Sequence, residues 1–179
     1  VFDLSVWLTG LAALLAAAFL TWLLSVARRN VSIVDVLWSL MFLIAALVYA
    51  GVAPAFDAPL GGGLHRPALA PLERRVLVLT LVAIWALRLA IYIAARNWGH
   101  PEDYRYQAIR RRNEPGFTFK SLYLVFFLQA GLAWVISLPL LGAILGTAPL
   151  GWLDLAGALL WLVGIVFEAG GDWQLARFK

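Results

Sequence analysis

The chain has 179 residues, of which 63% are hydrophobic and only 13% are charged, and its mean hydropathy is +0.86. Because a soluble domain is roughly half apolar and a quarter charged, this composition predicts an integral membrane protein. The chain has no cysteine, which excludes disulfides and thiol nucleophiles, and its two histidines fall in predicted loops, so we expect no metal site.

Five apolar stretches are long enough to cross a bilayer, which takes about 20 helical residues. In chain order they cover roughly residues 2–27, 31–56, 75–97, 122–146 and 150–176. Pro139 predicts a kink in the fourth stretch, and the segment rich in glycine and proline before the third predicts irregular structure. The sequence therefore predicts an all-α, polytopic membrane bundle that forms a single domain over residues 1–179.

The basic residues indicate the orientation of this bundle. Ten of them fall on one side of the predicted spans: Arg28, Arg29, Arg96, Arg105, Arg110, Arg111, Arg112, Lys120, Arg177 and Lys179. The positive-inside rule predicts that this side is cytoplasmic, with the N-terminus outside and the C-terminus inside. We attribute the net charge of +4 to this topology and expect no nucleic-acid partner.

Four ionisable side chains interrupt the predicted spans, namely Asp35, Arg88, Glu168 and Asp172. A charge at the centre of a membrane-spanning helix costs at least about 2.5–3.5 kcal/mol, so it usually faces the bundle interior and often has a function. These residues therefore mark the candidate site.

In the second span, Asp35 and Trp38 are spaced to share one helical face with Ser32 and Ser39. An acid in such a cavity could hold or protonate a substrate oxygen, because burial favours its protonated form. The alternative is an ion pair between Asp35 and either Arg88 or a loop arginine.

In the third span, Trp85, Arg88, Tyr92 and Arg96 form a continuous stripe. Tyrosine can donate to a developing oxyanion, and arginine can hold a phosphate group with two hydrogen bonds. This stripe suits an anionic or carbonyl-bearing ligand. The alternative is that Arg96 only extends its charge to the membrane surface while Arg88 pairs with Asp35.

Two further polar segments lie on the predicted cytoplasmic side. Tyr104, Arg105 and Tyr106 could cover a nucleotide, or the basic loop could simply contact lipid headgroups. The end of the fifth span carries two acidic and two basic residues, Glu168, Asp172, Arg177 and Lys179. The acidic groups could bind ribose hydroxyls and the basic groups a phosphate, or the segment could simply be a polar helix end in water. No soluble-type nucleotide-binding motif is present.

Four segments resemble a bacterial family of uncharacterised multi-span membrane proteins related to the steroid 5-alpha-reductases. They are VSIVDVLW from Val31, LRL from Leu87 with Tyr92 and Arg96, EDYRY from Glu102, and FEAGGDWQLARFK from Phe167. The resemblance covers nearly the whole chain. Sterol reductases and isoprenylcysteine methyltransferases are more distant relatives of this family.

The resemblance implies a reductase that uses NADPH to reduce a carbon–carbon double bond in a lipophilic, steroid-like enone. It implies that Asp35 and Tyr92 polarise the substrate carbonyl, and we expect Trp38, Trp85 and Arg88 to contact the substrate. It further implies cofactor contacts from eight residues: Arg96, Tyr104, Arg105, Tyr106, Glu168, Asp172, Arg177 and Lys179. It also implies a location in the bacterial inner membrane, among membrane lipids.

The family continues beyond the last residue of this chain, so we expect the 179 residues to lack part of the cofactor pocket. One alternative is an isoprenylcysteine-type methyltransferase that uses S-adenosylmethionine. Another is a non-catalytic scaffold or lipid-binding protein in which the charges only hold the helices together. A small transporter is disfavoured because the sequence shows no internal repeat.

Overall fold

A computed structural model describes residues 2–56 and 72–178, and within these ranges the chain is helical without any β-strand. The α-helices are α1 (Leu4–Arg28), α2 (Ile33–Phe56), α3 (Leu72–Asn97), α4 (Tyr104–Asn113), α5 (Phe117–Ser121), α6 (Leu128–Ile136), α7 (Leu138–Leu145) and α8 (Trp152–Arg177). A π-helical segment, Leu122–Phe127, joins α5 to α6.

Five helical stretches are long and apolar enough to cross a membrane. They cover residues 4–28, 33–51, 72–97, 117–136 and 152–177. The prediction of an all-α membrane bundle with five spans is confirmed. The third span begins at Leu72, a few residues before the predicted start. The glycine-rich segment and His65 lie outside the described residues, as does Lys179.

The core forms where α1 and α2 pack against each other and against α6 and α7. Small residues such as Ala18, Ala45 and Ala46 are fully buried there and allow the helix backbones to approach closely. Gly10 is the tightest example, because a Cβ atom at this position would lie 2.5 Å from Cε1 of Tyr49. The Tyr49 hydroxyl is itself hydrogen-bonded to Ser137 Oγ at 2.7 Å.

The predicted kink in the fourth span occurs at the junction between α6 and α7. Ser137 separates the two helices, and Pro139 occupies the first turn of α7. Proline lacks an amide hydrogen and therefore interrupts the helical ladder. The Ser137 hydroxyl donates to the Trp134 carbonyl at 2.8 Å, which gives that carbonyl oxygen a hydrogen bond where the helix is interrupted.

Part of the loop between the third and fourth spans is helical, whereas the sequence predicted only a loop. Asp103 caps α4 by accepting a hydrogen bond from the Arg105 amide at 2.9 Å. Short helices that follow an aspartate are stabilised in this way. The N-terminal cap fixes the direction of α4 and places its side chains against the start of α2.

Helix α8 contacts the bundle along one narrow stripe, and none of its residues is buried. The half-buried residues recur at helical spacing: Asp154, Ala158, Trp161, Ile165, Glu168, Ala169 and Asp172. Near its start, the Asp154 carboxylate pairs with Arg74 on α3 at 2.7 Å. Further along, its acidic residues meet Arg88, also on α3.

Candidate functional site

Asp35 lies in the first turn of α2 and is held from the side by α4. Its Oδ1 atom accepts a hydrogen bond from the Tyr106 hydroxyl, and its Oδ2 atom accepts one from Arg105 Nη2 at 2.9 Å. The Asp35 side chain is 17% exposed. The sequence allowed two ion-pair partners for Asp35, and the structure shows the loop arginine, Arg105. The alternative prediction, an ion pair between Asp35 and Arg88, is wrong.

Two acidic residues before α4 tie this helix to the start of α2. The Asp103 amide donates to Ser32 Oγ at 2.7 Å, and the Glu102 carboxylate accepts from the Val31 amide at 2.9 Å. Glu102 also binds Arg110 through two hydrogen bonds of 2.8 and 2.9 Å. These contacts fix the positions of Arg105 and Tyr106 beside Asp35.

Hydrogen bonds from arginine side chains lower the pKa values of both acids. The hydrogen bond from the Arg105 side chain lowers the pKa of Asp103 below its usual value. Burial raises the pKa of Glu102, but the hydrogen bonds from Arg110 and from the Val31 amide outweigh this effect and leave the pKa lowered. Both carboxylates are therefore ionised at neutral pH and stabilise the docked position of α4.

A cavity of about 440 Å³ opens beside Asp35, and we call it the Asp35 cavity. Four helices contribute to its lining, which consists of Asp35, Trp38, Ile93, Arg96, Arg105, Tyr106, Gln129 and Leu132. Five of the residues predicted from the sequence are thus brought together. Gln129 was missed, although an amide inside an apolar span is itself a recognisable signal.

The charges around the Asp35 cavity favour an anionic ligand. Among the described residues, Arg96 forms no ion pair, and its guanidinium lies 5.7 Å from the centre of the Tyr92 ring. Arg105 is 53% exposed, so part of its guanidinium remains accessible to a ligand. Arg105 is shared between Asp35 and Asp103, whereas Arg96 has no ion-pair partner among the described residues, and its guanidinium can bind phosphate.

Tyr106 is a permanent hydrogen-bond donor in this cavity. Burial raises the pKa of its hydroxyl, and the hydrogen bond to the Asp35 carboxylate raises it further. The hydroxyl therefore stays protonated at neutral pH. A neutral phenol beside a carboxylate can donate to a carbonyl oxygen that enters the cavity.

A second polar cluster joins α3 to α8 and consists of Trp85, Arg88, Tyr92, Glu168 and Asp172. Arg88 Nη1 donates to Asp172 Oδ2 at 2.7 Å. Arg88 Nη2 lies 2.6 Å from Glu168 Oε1, so the two groups form an ion pair, but the angles between them do not meet those of a hydrogen bond. Trp85 Nε1 donates to Glu168 Oε2 at 3.0 Å. The Tyr92 hydroxyl donates to the Asp172 carbonyl at 3.2 Å.

The predicted catalytic pair is consequently divided between two places. Asp35 lines the Asp35 cavity, whereas Tyr92 is not among the described residues that line it. Arg88 pairs with both Glu168 and Asp172, and charges at membrane depth are usually paired in this way. Tyr106 lies beside Asp35, whereas the resemblance implied that Tyr92 acts together with Asp35 on the substrate carbonyl.

Two other predicted cofactor residues, Tyr104 and Arg177, do not line the Asp35 cavity. Tyr104 is 77% exposed on α4. Arg177 stacks on the Trp173 ring, with its Cζ atom 3.7 Å from the ring centre, at the exposed end of α8. Within the described ranges, no group of histidine, aspartate and glutamate residues has the arrangement of a metal site.

An apolar cavity of about 800 Å³ lies between α2, α3, α7 and α8. Trp85 and Glu168 form its polar end, and the rest of its lining is almost entirely apolar. A row of three edge-to-face aromatic rings lies between this cavity and the Asp35 cavity. Phe42 lies 5.5 Å from Trp38 and 5.6 Å from Trp85, measured between ring centres.

Comparison with known proteins places this bundle in a family. No curated protein and no solved structure matches the chain. Residues 21–179 match the family described as "Protein of unknown function (DUF1295)". This match spans most of the chain and includes α2, α3, α4 and α8, which carry both polar clusters. The chain therefore belongs to the DUF1295 family.

Proposed function

We propose that this protein is a membrane-embedded, NADPH-dependent reductase that acts on the carbon–carbon double bond of a lipophilic, steroid-like enone. The observation that carries the proposal is the Asp35 cavity, where a buried tyrosine donor and an acid meet two arginines. The resemblance of its motifs to the steroid 5-alpha-reductase group supports the same chemistry.

The residues of the Asp35 cavity fit the phosphate groups of NADPH. Arg96 has no acidic partner among the described residues, and half of Arg105 is accessible. Both guanidinium groups would hold phosphate oxygens, and the bound cofactor would supply the hydride. The positive-inside rule supports a cytoplasmic position for this side of the bundle, where NADPH is available.

Glu168 and Asp172 fit the cofactor less well. Each already contacts Arg88, so binding a ribose hydroxyl would require one of them to exchange its partner. We therefore propose that the second polar cluster, around Arg88, holds α8 against α3. In this arrangement Trp85 would contact substrate from the apolar cavity, which it lines.

The substrate would lie with its apolar body in the apolar cavity and its carbonyl toward Asp35. The Tyr106 hydroxyl, which donates to Asp35 in the structure, would donate to the substrate oxygen instead. When the β-carbon receives the hydride, negative charge develops on that oxygen, and the donated hydrogen bond stabilises it. A proton from water then completes the reduction at the α-carbon. The substrate would gain a hydride from the bound cofactor and a proton from water, which together reduce the double bond by two electrons.

This mechanism assigns to Tyr106 the role that the resemblance implies for Tyr92. The geometry favours Tyr106 because its hydroxyl contacts Asp35 directly, whereas the Tyr92 hydroxyl donates to a backbone carbonyl of α8. Asp35 orients the Tyr106 hydroxyl and keeps it in the cavity.

The test compares Tyr106→Phe with Tyr92→Phe in protein reconstituted in lipid nanodiscs. NADPH oxidation is followed at its near-ultraviolet absorbance with a 3-oxo-4-ene steroid and a long-chain enone. We expect Tyr106→Phe to lower kcat by about 100-fold, the loss typical of one oxyanion donor. Tyr92→Phe serves as the matched control and should retain most of the activity.

Three outcomes would contradict the proposal in different ways. Loss of activity only in Tyr92→Phe would return the catalytic role to Tyr92. Binding of NADPH without turnover of either enone would reject the substrate class. Binding of S-adenosylmethionine in place of NADPH, measured by calorimetry, would favour the methyltransferase alternative and reject the reductase.

A further inference from the structure

A pocket of about 360 Å³ lies between the end of α1, the start of α2 and the end of α3. No described residue lines both this pocket and the Asp35 cavity. On α3 it is lined by Ala94 and Asn97, whereas the Asp35 cavity is lined by Ile93 and Arg96. The two sites therefore use different faces of the α2–α3 pair.

The turn after α3 shapes one wall of this pocket. Gly99 has a φ of +74°, a left-handed conformation that glycine adopts without steric cost. The chain reverses there, and the His100 amide donates to the Asn97 carbonyl at 3.1 Å. As a result, Trp98 and His100 both line the pocket.

The polar side chains of this pocket are mostly hydrogen-bond donors. No carboxylate is among the described residues that line it. Arg28 forms no ion pair within the described part of the chain. The side-chain Oδ1 atom of Asn30 accepts from the Ser32 backbone amide, and that of Asn97 accepts from Arg96 Nε. The side-chain NH₂ groups of both asparagines are thus left for a ligand.

The acidic residues that follow this pocket in sequence are already paired with arginines that do not line it. Glu102 and Asp103 follow His100 closely in sequence, but Glu102 binds Arg110 and Asp103 binds Arg105. A pocket lined by an arginine, two asparagines, a tryptophan and a histidine, with no carboxylate among its described lining residues, suits a phosphate oxygen.

The location of the pocket favours a phosphate that belongs to a membrane lipid. Trp98 is 79% exposed just beyond the end of the membrane-spanning α3, a position typical of tryptophan at the bilayer interface. Ile33, Val36 and Ala94 supply an apolar wall. An acyl chain can lie along such a wall while the headgroup stays at the basic end of the bundle.

We propose that this pocket binds the phosphodiester headgroup of an anionic bilayer phospholipid. Arg28 is its principal ligand, and Asn97, Trp98 and His100 add hydrogen bonds. The proposal does not depend on the reductase activity, because no described residue lines both the pocket and the Asp35 cavity.

The test uses native mass spectrometry of the full chain released from detergent with phosphatidylglycerol or with phosphatidylcholine. The variant is Arg28→Gln, and the matched control is Arg112→Gln, which makes the same charge change on α4 away from the pocket. We expect Arg28→Gln to weaken phosphatidylglycerol binding about fivefold, which corresponds to roughly 1 kcal/mol per basic residue near anionic lipid. Arg112→Gln should bind as the unaltered protein does.

A second variant, His100→Gln, should also weaken phosphatidylglycerol binding, while circular dichroism checks that both pocket variants remain helical. Equal binding by Arg28→Gln and Arg112→Gln would overturn the proposal, as would equal binding of the two lipids by the unaltered protein. Displacement of the lipid by inorganic phosphate or by NADPH at millimolar concentration would instead identify a site for soluble phosphate.

Discussion

The Tyr49 ring packs directly against Gly10, in the space that any side chain at position 10 would occupy. The Tyr49 ring is fully buried, and its hydroxyl is hydrogen-bonded to Ser137, so the ring has little freedom to move. Its apolar part packs between the helices while its hydroxyl binds near the break between α6 and α7. A single glycine thus permits a contact that joins three helices.

We expect Gly10→Ala to destabilise the protein. A methyl group there would approach the ring to 2.5 Å, and overpacking typically costs about 1–3 kcal/mol, more than the roughly 1 kcal/mol that alanine gains over glycine in a helix. Gly170→Ala is the control, because a Cβ atom at that position has open space around it. Thermal unfolding in detergent should show a lower midpoint for Gly10→Ala alone, and equal midpoints would contradict the steric argument.

Residue-level patterns in the sequence identified Asp35 as a polar group inside a span but left open whether its partner is Arg88 or a loop arginine, and they did not identify Tyr106. Helical spacing places residues on a face of their own helix. It carries no information on which distant guanidinium reaches that face. Arg105 and Tyr106 lie about 70 positions away along the chain, and only the capped helix α4 brings them to Asp35.

Helix α4 depends on two ionised acids at its N-terminal end. The pKa values of Glu102 and Asp103 are lowered in the folded protein, so each contributes stability above its ordinary pKa and loses that contribution as the pH falls through the folded value. We expect the thermal midpoint to fall as the pH drops below about 4.5, the ordinary value for glutamate.

The Glu102→Gln variant checks this assignment. It retains an acceptor for the Val31 amide but has no charge to titrate, so its thermal midpoint should depend less on pH than that of the unaltered protein. An unchanged pH dependence in this variant would show that other acids cause the loss of stability.

Helix α8 is positioned by charge compensation more than by apolar packing. Two carboxylates, Glu168 and Asp172, meet the single guanidinium of Arg88, and no residue of the helix is buried. Removing one partner of an ion pair in a low-dielectric environment leaves an uncompensated charge, which is more costly than removing the whole group.

We therefore expect Arg88→Gln to lower the thermal midpoint substantially. The side chains of this cluster are partly exposed, so the loss should be smaller than the about 3–5 kcal/mol typical of fully buried pairs. Adding Glu168→Gln and Asp172→Asn to this variant should recover most of the stability, because no charge is then left unpaired. A triple variant less stable than Arg88→Gln would show that the acids stabilise α8 by another route.

At the scale of the whole molecule, the sequence predicted the number of spans and their approximate limits because hydrophobic length determines both. The kink near Pro139 was also predictable, since proline interrupts a helix wherever it falls inside one. The sequence alone could not show that Asp35 and Arg88 belong to two different polar clusters. Asp35 and Arg88 both lie within spans, and only the packing of α4 and α8 assigns each its own counter-charge.

The narrow stripe of α8 has a consequence for how the protein is assembled. All but the terminal backbone groups of a membrane helix are satisfied within the helix itself, so such a segment is stable in lipid before it meets its neighbours. Since α8 touches the bundle along a single line of side chains, its insertion and its docking are separable events. The earlier helices can complete their core around Tyr49 first, and α8 then joins a finished surface through Arg74 and Arg88.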